Sequence, residues 1–222
     1  MMLDRLDPDL KPVVTASAAV GIVVGAFGAV FGVTAVAAGG SVLQACVMSL
    51  LVFTGASQFS AASVVATGGS VWSALSSSTL LAARNGVYGL TLARVIGGPL
   101  ARRLVAAQLV IDESTAMATA QDSHRERATA FWVTGLTVYL FWNLGTLVGA
   151  LAGSEIDPAR YGLDAALPAG FVAMVWPQFA TRDGRLAGIV GAVVCLVTIP
   201  FVPIGLSVLC ASVAILVGLR PE

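Results

Sequence analysis

Charge is what this chain has least of. Only 11% of its 222 residues are Asp, Glu, Lys or Arg, against about 25% in an ordinary soluble domain, and 57% are hydrophobic. So little charge cannot cover a water-facing surface. Basic and acidic residues number 12 each, so no basic field exists to hold a phosphate backbone, and no nucleic-acid partner is expected. Histidine occurs once, as His124 in the polar run Gln121 to Arg127, where it is expected to be solvated. No cluster of histidine, cysteine and carboxylate has the spacing of a metal site. No serine and histidine pair falls within the apolar stretches and no H-E-x-x-H segment occurs, so no catalytic set, metal or cofactor is expected. The three cysteines, Cys46, Cys195 and Cys210, are too far apart for a metal or redox motif and read as small core residues. The chain opens Met1-Met2-Leu3-Asp4, acidic where a secretory signal carries basic residues, so cleavage is not expected.

What the chain does have is length without charge. From Pro12 to Ala83, 72 residues pass without an acidic, basic or histidine side chain. As one helix this run would reach about 108 Å, more than three hydrocarbon cores of about 30 Å each, so it must fold back on itself in a bilayer. The expected fold class is an all-α polytopic membrane protein of about seven (six to seven) membrane helices, some broken or re-entrant. Gly-Gly-Ser-Val occurs at Gly39 and again at Gly68, with glycine placed to close one helix and serine to cap the next. These breaks divide the run into spans near 13–38, 41–66 and 71–96, after a short polar N-terminus at 1–12. Residues 97–127 carry Arg102, Arg103, Arg125 and Arg127 around the short apolar run Leu104 to Ile111, which reads as a cytoplasmic connection with one amphipathic or partly inserted helix. Further spans are expected near 128–153, 165–180, 186–200 and 203–219, completing one transmembrane domain over 13–219 with a tail at 220–222. The loop with Glu155, Asp157 and Asp164 is acidic and should face outward. If every element crosses, the N-terminus lies on the side opposite the basic loop.

Glycine recurs every fourth residue at Gly21 and Gly25, and again at Gly145, Gly149 and Gly153, a spacing that lets helix backbones approach closely. Two other places carry polar groups where a helix should be apolar. Thr54-Gly55-Ala56-Ser57-Gln58 sits near the middle of the second span. It is either a broken helix facing a substrate cavity or an intact helix with Ser57 and Gln58 bonded to neighbours. Arg84 and Asn85 lie past the middle of the third span. Inserting such an arginine costs about 2.5–3.5 kcal/mol, so Arg84 needs a partner, a watery cavity or a snorkelling route to the cytoplasmic face. Asp112-Glu113-Ser114 ends the Leu104 run. Asp112 either caps a helix or pairs with Arg84, and the two acids are a candidate proton or ammonium site. Asn143 reads as an interhelical hydrogen bond. Pro168 and Pro177 can interrupt the fifth span, making it a counterpart of the second and suggesting three-helix repeats.

Taken together, Val52-Phe53-Thr54-Gly55-Ala56-Ser57-Gln58-Phe59, Ala83-Arg84-Asn85-Gly86-Val87-Tyr88-Gly89 and Asp112-Glu113-Ser114 resemble the AzlC family of branched-chain amino-acid permeases, over nearly the whole chain. One departure is that many members carry asparagine two residues before the arginine and histidine after it, where this chain has Ala82 and Asn85. The resemblance implies the large subunit of an exporter in the bacterial cytoplasmic (inner) membrane, working with a small AzlD-type membrane subunit on leucine, isoleucine and valine, from which methionine should be poorly separated, since one methylene is worth only about 1–3 kcal/mol. A zwitterion would bind between the two halves, its carboxylate meeting Arg84 or the amides near Gly55 to Gln58. Its ammonium would face Gln58, Asp112 or Glu113, and Phe59 would hold its side chain, with Thr54, Ser57 and Asn85 completing the site. A non-transporting scaffold is the alternative, and an intramembrane enzyme a more remote one.

Overall fold

The computed structural model describes residues 7–153 and 176–202, with positions 172, 207, 210, 211, 213 and 214. Most of the expected spans 165–180 and 203–219, the acidic loop before the first of them, and the tail therefore lie outside the described residues. All regular structure among the described residues is helical. The helices are α1 (Lys11–Ala37), α2 (Val42–Leu51), α3 (Gly55–Ala66), α4 (Val71–Leu92), α5 (Leu100–Gln108), α6 (Asp112–Thr119), α7 (His124–Gly153) and α8 (Arg182–Thr198). Two stretches among them, Pro8–Ala37 and His124–Gly153, are long and apolar enough to cross a membrane.

The helix ends follow the glycine and serine signals. At the end of α1 the Gly40 amide donates to Ala35 and the Gly39 amide to Val36, with Gly39 at φ +93. At the end of α3 Gly69 donates to Val64 and Gly68 to Val65, with Gly68 at φ +75. Both are left-handed closures that satisfy carbonyls the helix leaves open. Ser41 then accepts from the Gln44 amide while Gln44 Oε1 accepts from Ser41, and Ser70 accepts from the Ser73 amide, so each following helix starts capped.

The core is a seam between α1 and α7, which run parallel. Gly21 faces Thr137, Gly25 faces Phe141, Gly28 faces Trp142, Gly32 faces Thr146, and Gly153 faces Val33. A Cβ on Gly21 would come 2.5 Å from Thr137 Cβ, and one on Gly149 would overlap the Ala29 carbonyl. These glycines therefore set the distance between the two backbones, as small residues do where helices pack without a hydrophobic driving force. The opposite face of α7 leaves Leu136, Leu140, Leu144, Leu147 and Leu151 exposed.

The second and third elements differ from a simple crossing. The end where α1 starts may be called the basic end, because α4 finishes there, with the Arg94 carbonyl 3.1 Å from His124 Nε2, and the arginines of 94–127 gather around it. From the far end α2 descends beside α7, where Ser49 meets Thr146 at 3.0 Å. The chain stops being helical at Val52 to Thr54. It then turns back as α3, which packs antiparallel to α4 through Ser57 Oγ to the Ser78 carbonyl (2.9 Å), Ser78 Oγ to the Ser57 carbonyl (3.1 Å) and Ser60 to Ser77 (3.0 Å). Residues 41–66 thus form a re-entrant helical hairpin instead of one continuous span. The physical reason is the Thr54-Gly55 break, after which a second set of amides starts a new helix.

Residues 97–127 differ in the same way. They hold two helices, α5 rising from the basic end and α6 returning to it, with Leu109, Val110 and Ile111 buried at the tip. The eight residues Leu104 to Ile111, apolar except for Gln108, are too few to cross, but enough to go partway in and come back. Leu109 packs on Gly135, eleven residues along α7, about 16 Å from its start by helical rise. The tips of the two hairpins meet where Gln108 Nε2 donates to the Leu50 carbonyl at 3.0 Å. Because 41–66 re-enters, one crossing drops out of the count. Asp7, the first described residue, consequently lies at the basic end, where Arg125 Nη1 donates to its Oδ2 at 2.7 Å. The hydrogen bond from Arg125 holds the Asp7 carboxyl below its ordinary value of 3.8.

Candidate functional site

The break at Val52 to Thr54 opens two helix ends inside the protein, and each needs partners. The carbonyls ending α2 have them. Gln58 Nε2 donates to the Val52 carbonyl at 2.7 Å and the Met48 carbonyl at 3.4 Å, Gln108 donates to Leu50 and Leu51, and Tyr139 Oη donates to Leu50 at 3.2 Å. Gln58 Oε1 accepts from Trp142 Nε1 at 2.9 Å, and no part of Gln58 is exposed. Gln58 is therefore a staple between α2, α3 and α7, with its amide donors and carbonyl all engaged. Phe59 packs edge-on against Phe31, centroids 5.6 Å apart, and against Trp142 at 6.2 Å. Gly55 lies under the Trp142 ring, where an added Cβ would come within 2.9 Å of Cη2.

The amides starting α3 are left open. Thr54 is its N-cap but its side chain makes no capping bond, and the amides of Gly55, Ala56 and Ser57 have no hydrogen-bond acceptor among the described residues. A helix N-terminus with free amides carries partial positive charge and favours an anion. Of the cluster singled out in the sequence, Ser57, Gln58 and Phe59 are committed to the hairpin by their side chains, whereas Gly55 to Ser57 leave backbone groups free.

Arg84 finds its partner in Asp112. Arg84 Nη2 lies 2.6 Å from Asp112 Oδ2, joining the middle of α4 to the tip of the second hairpin. Asp112 is the first residue of α6 and does not cap it. Ser114 Oγ instead ties down the turn before the helix, accepting from the Ile111 amide at 3.1 Å and donating to the Leu109 carbonyl. The carboxylate at a helix start adds a favourable dipole interaction to its pairing with the guanidinium. The pair is not saturated, since Arg84 Nε and Asp112 Oδ1 are both buried without a hydrogen-bond partner, and so is Asn85 Oδ1 beside them. Glu113 is half-buried and close enough to Asp112 and Arg84 to feel both charges, and Tyr88, one turn from Arg84, faces Asp112. By helical rise Arg84 lies about 9 Å along α4 from the Ser57–Ser78 contact, so the two candidate clusters are neighbours, one at each hairpin tip.

Other expected residues fall elsewhere. Asn143 bonds within its own helix, Nδ2 to the Tyr139 carbonyl at 2.7 Å, instead of across a helix pair. His124 is exposed at the basic end. The sequence reading missed Trp142 and Gln108, which are the side chains that close the tip of α2. An indole and an amide inside apolar segments were the only available signals.

Two long parallel helices clasped by glycine, two hairpins that enter from opposite ends and touch at Gln108 and Leu50, and a partly exposed Arg84–Asp112 pair beside their tips define a helical membrane protein with a polar site among its helices. The family model described as AzlC protein matches residues 19–156, and the chain belongs to that family. The chain is 31% identical over 183 residues to the inner membrane protein YgaZ of Escherichia coli, which covers 77% of this chain and 75% of that one. It is 28% identical over 175 residues to an uncharacterized membrane protein of Helicobacter pylori, covering 76% of each. No solved structure matches the chain. The protein is accordingly a membrane protein, of a family consistent with a branched-chain amino-acid transport component.

Proposed function

We propose that this chain is the large subunit of a branched-chain amino-acid transporter, exporting leucine, isoleucine, valine and methionine across the bacterial cytoplasmic membrane together with a small AzlD-type membrane subunit. The observation that carries the reading is the Arg84–Asp112 pair, which retains one buried donor, Arg84 Nε, and one buried acceptor, Asp112 Oδ1. A zwitterion matches that pair, its carboxylate turning to Arg84 or to the free amides of α3 and its ammonium to Asp112. Glu113 and Asn85 lie at the edge of the same site and stand as further polar contacts. Specificity within the aliphatic group should be weak, because one methylene in an apolar pocket is worth about 1–3 kcal/mol. Export follows the family's character, and the excess of arginine puts the basic end on the cytoplasmic side.

Leucine counterflow in vesicles containing this chain and its small partner tests the reading. Arg84→Ala and Asp112→Ala are each expected to abolish counterflow, and unchanged flux in Arg84→Ala would overturn the role given to the pair. A scaffold would show no substrate-dependent flux at all, and an enzyme would convert its substrate in detergent, where transport cannot occur.

A further inference from the structure

Glycine inside a helix is unfavourable relative to alanine, so each one calls for a reason. Gly21, Gly25, Gly145 and Gly149 have theirs in the seam between α1 and α7. Gly86 and Gly89, both within α4, do not. A Cβ added at either meets nothing within 4 Å, and neither has positive φ. What lies over them is a groove of about 560 Å³ between α4 and α5, with Asn85, Gly86 and Gly89 on one wall and Arg103, Leu104 and Ala107 on the other. That volume falls within the range of about 300–1,000 Å³ for small-molecule sites.

The groove has a direction. Its inner end lies at Asn85, next to Arg84, and at Val110, two residues before Asp112. Its outer end lies at Ile96 and Leu100, at the basic end of the protein, with Arg103 one helical turn further along α5. Between the ends the lining is aliphatic, and Asn85 and Arg103 supply its polar side chains. Asn85 Oδ1 is buried without a partner, an acceptor that suits an ammonium, and the Arg103 guanidinium suits a carboxylate.

We propose that this groove is the route by which an aliphatic α-amino acid reaches the Arg84–Asp112 pair from the basic end, with Gly86 and Gly89 keeping it open and Arg103 drawing the carboxylate in. The proposal rests on the transporter reading above and adds the residues that form the path. A lipid acyl chain would suit the aliphatic walls but would leave the acceptor at the inner end unused.

The test fills the groove without disturbing the fold. Gly86→Leu and Gly89→Leu add side chains into open space and raise helix propensity, so both variants are expected to reach the membrane and unfold at or above the wild-type midpoint. Their leucine counterflow, measured with the small partner present, should fall at least tenfold, whereas Gly86→Ala and Gly89→Ala keep most of it. Arg103→Gln should raise the leucine concentration for half-maximal flux several-fold with little change in the maximal rate. Wild-type flux in both leucine variants would overturn the proposal. Binding is read separately by maleimide labelling of Gly89→Cys in a chain with Cys46, Cys195 and Cys210 changed to serine. Leucine should slow that labelling at least threefold. If leucine protects but the wild-type pair shows no counterflow, the groove stands and the transport reading falls. Labelling indifferent to leucine sinks the groove itself.

Discussion

Trp142→Phe probes the tip of the first hairpin through a single atom. The indole Nε1 donates to Gln58 Oε1 at 2.9 Å, and Gln58 is fully buried with its amide nitrogen already committed to Val52 and Met48. Phenylalanine keeps an aromatic ring against Phe31 and Phe59 but removes the donor, leaving a buried acceptor unpaired. The cost of such an orphan is about 1–3 kcal/mol, a factor of about 5 to 150 in the folding equilibrium. Gln58→Leu should cost more, because it orphans Trp142 Nε1 and also strips the Val52 and Met48 carbonyls of a donor. Combining the two changes removes both partners at once, so the double variant should be less destabilised than the sum. The coupling expected is about 0.6 kcal/mol, the average for hydrogen bonds between membrane helices, and at most about 1.7 kcal/mol. Reversible unfolding in mixed micelles for the four proteins supplies the cycle, and amide exchange across Met48 to Phe59 reports whether the loss is local to the hairpin. A coupling indistinguishable from zero would refute the staple, because two residues that do not touch give additive effects.

Gly149→Leu forces a side chain into the Ala29 backbone and should destabilise by about 3 kcal/mol or prevent folding, as an overpacked seam does, which a thermal melt in detergent measures. Ser57→Ala loses one of several serine contacts between α3 and α4 and should cost only about 0.6 kcal/mol in the same melt. Asp7 is held ionised by Arg125, so its folded value lies below its ordinary 3.8. The contact is therefore intact above that pH and lost as pH falls through the lower folded value, and exchange at Asp9 to Lys11 should quicken there and with added salt. Asp7→Asn should remove that pH dependence.

Much of the frame was legible because glycine and serine act locally. The two Gly-Gly-Ser breaks predicted helix ends that the structure closes with the expected bonds at Gly39 and Gly68. The glycine repeats pointed to close backbone approach, and Gly21, Gly25, Gly145 and Gly149 do lie against the backbone or Cβ of the opposite helix. The direction of travel after each break was not legible. Composition cannot distinguish a helix that continues past Thr54 from one that reverses, because both keep the same residues at the same depth. The reversal is fixed by contacts between residues far apart in sequence, such as Ser57 with Ser78 and Gln108 with Leu50. The stretch Leu104 to Ile111 was legible as too short to cross and as one amphipathic or partly inserted helix, but the return through a second helix, α6, was not, because it depends on contacts at the tip such as Gln108 with Leu50.

The two helix ends at the Val52 to Thr54 break are unlike in a way that bears on where a ligand sits. Every helix end inside a membrane protein must have its backbone groups met by protein, water or ligand. At the carbonyl end of α2 the protein meets them itself, through Gln58, Gln108 and Tyr139, side chains drawn from three different helices. At the amide end of α3 it does not, and the nearby pair of Arg84 and Asp112 also keeps an open donor and an open acceptor. A merely structural junction would gain by closing both ends, since each unmet buried group costs stability. The open groups share the chemistry of one ligand class: free amides and a guanidinium N–H that fit a carboxylate, and a carboxylate oxygen that fits an ammonium. The closed end holds the first hairpin in register, and under the transport reading proposed above the open end is the place where a bound zwitterion would complete the missing bonds.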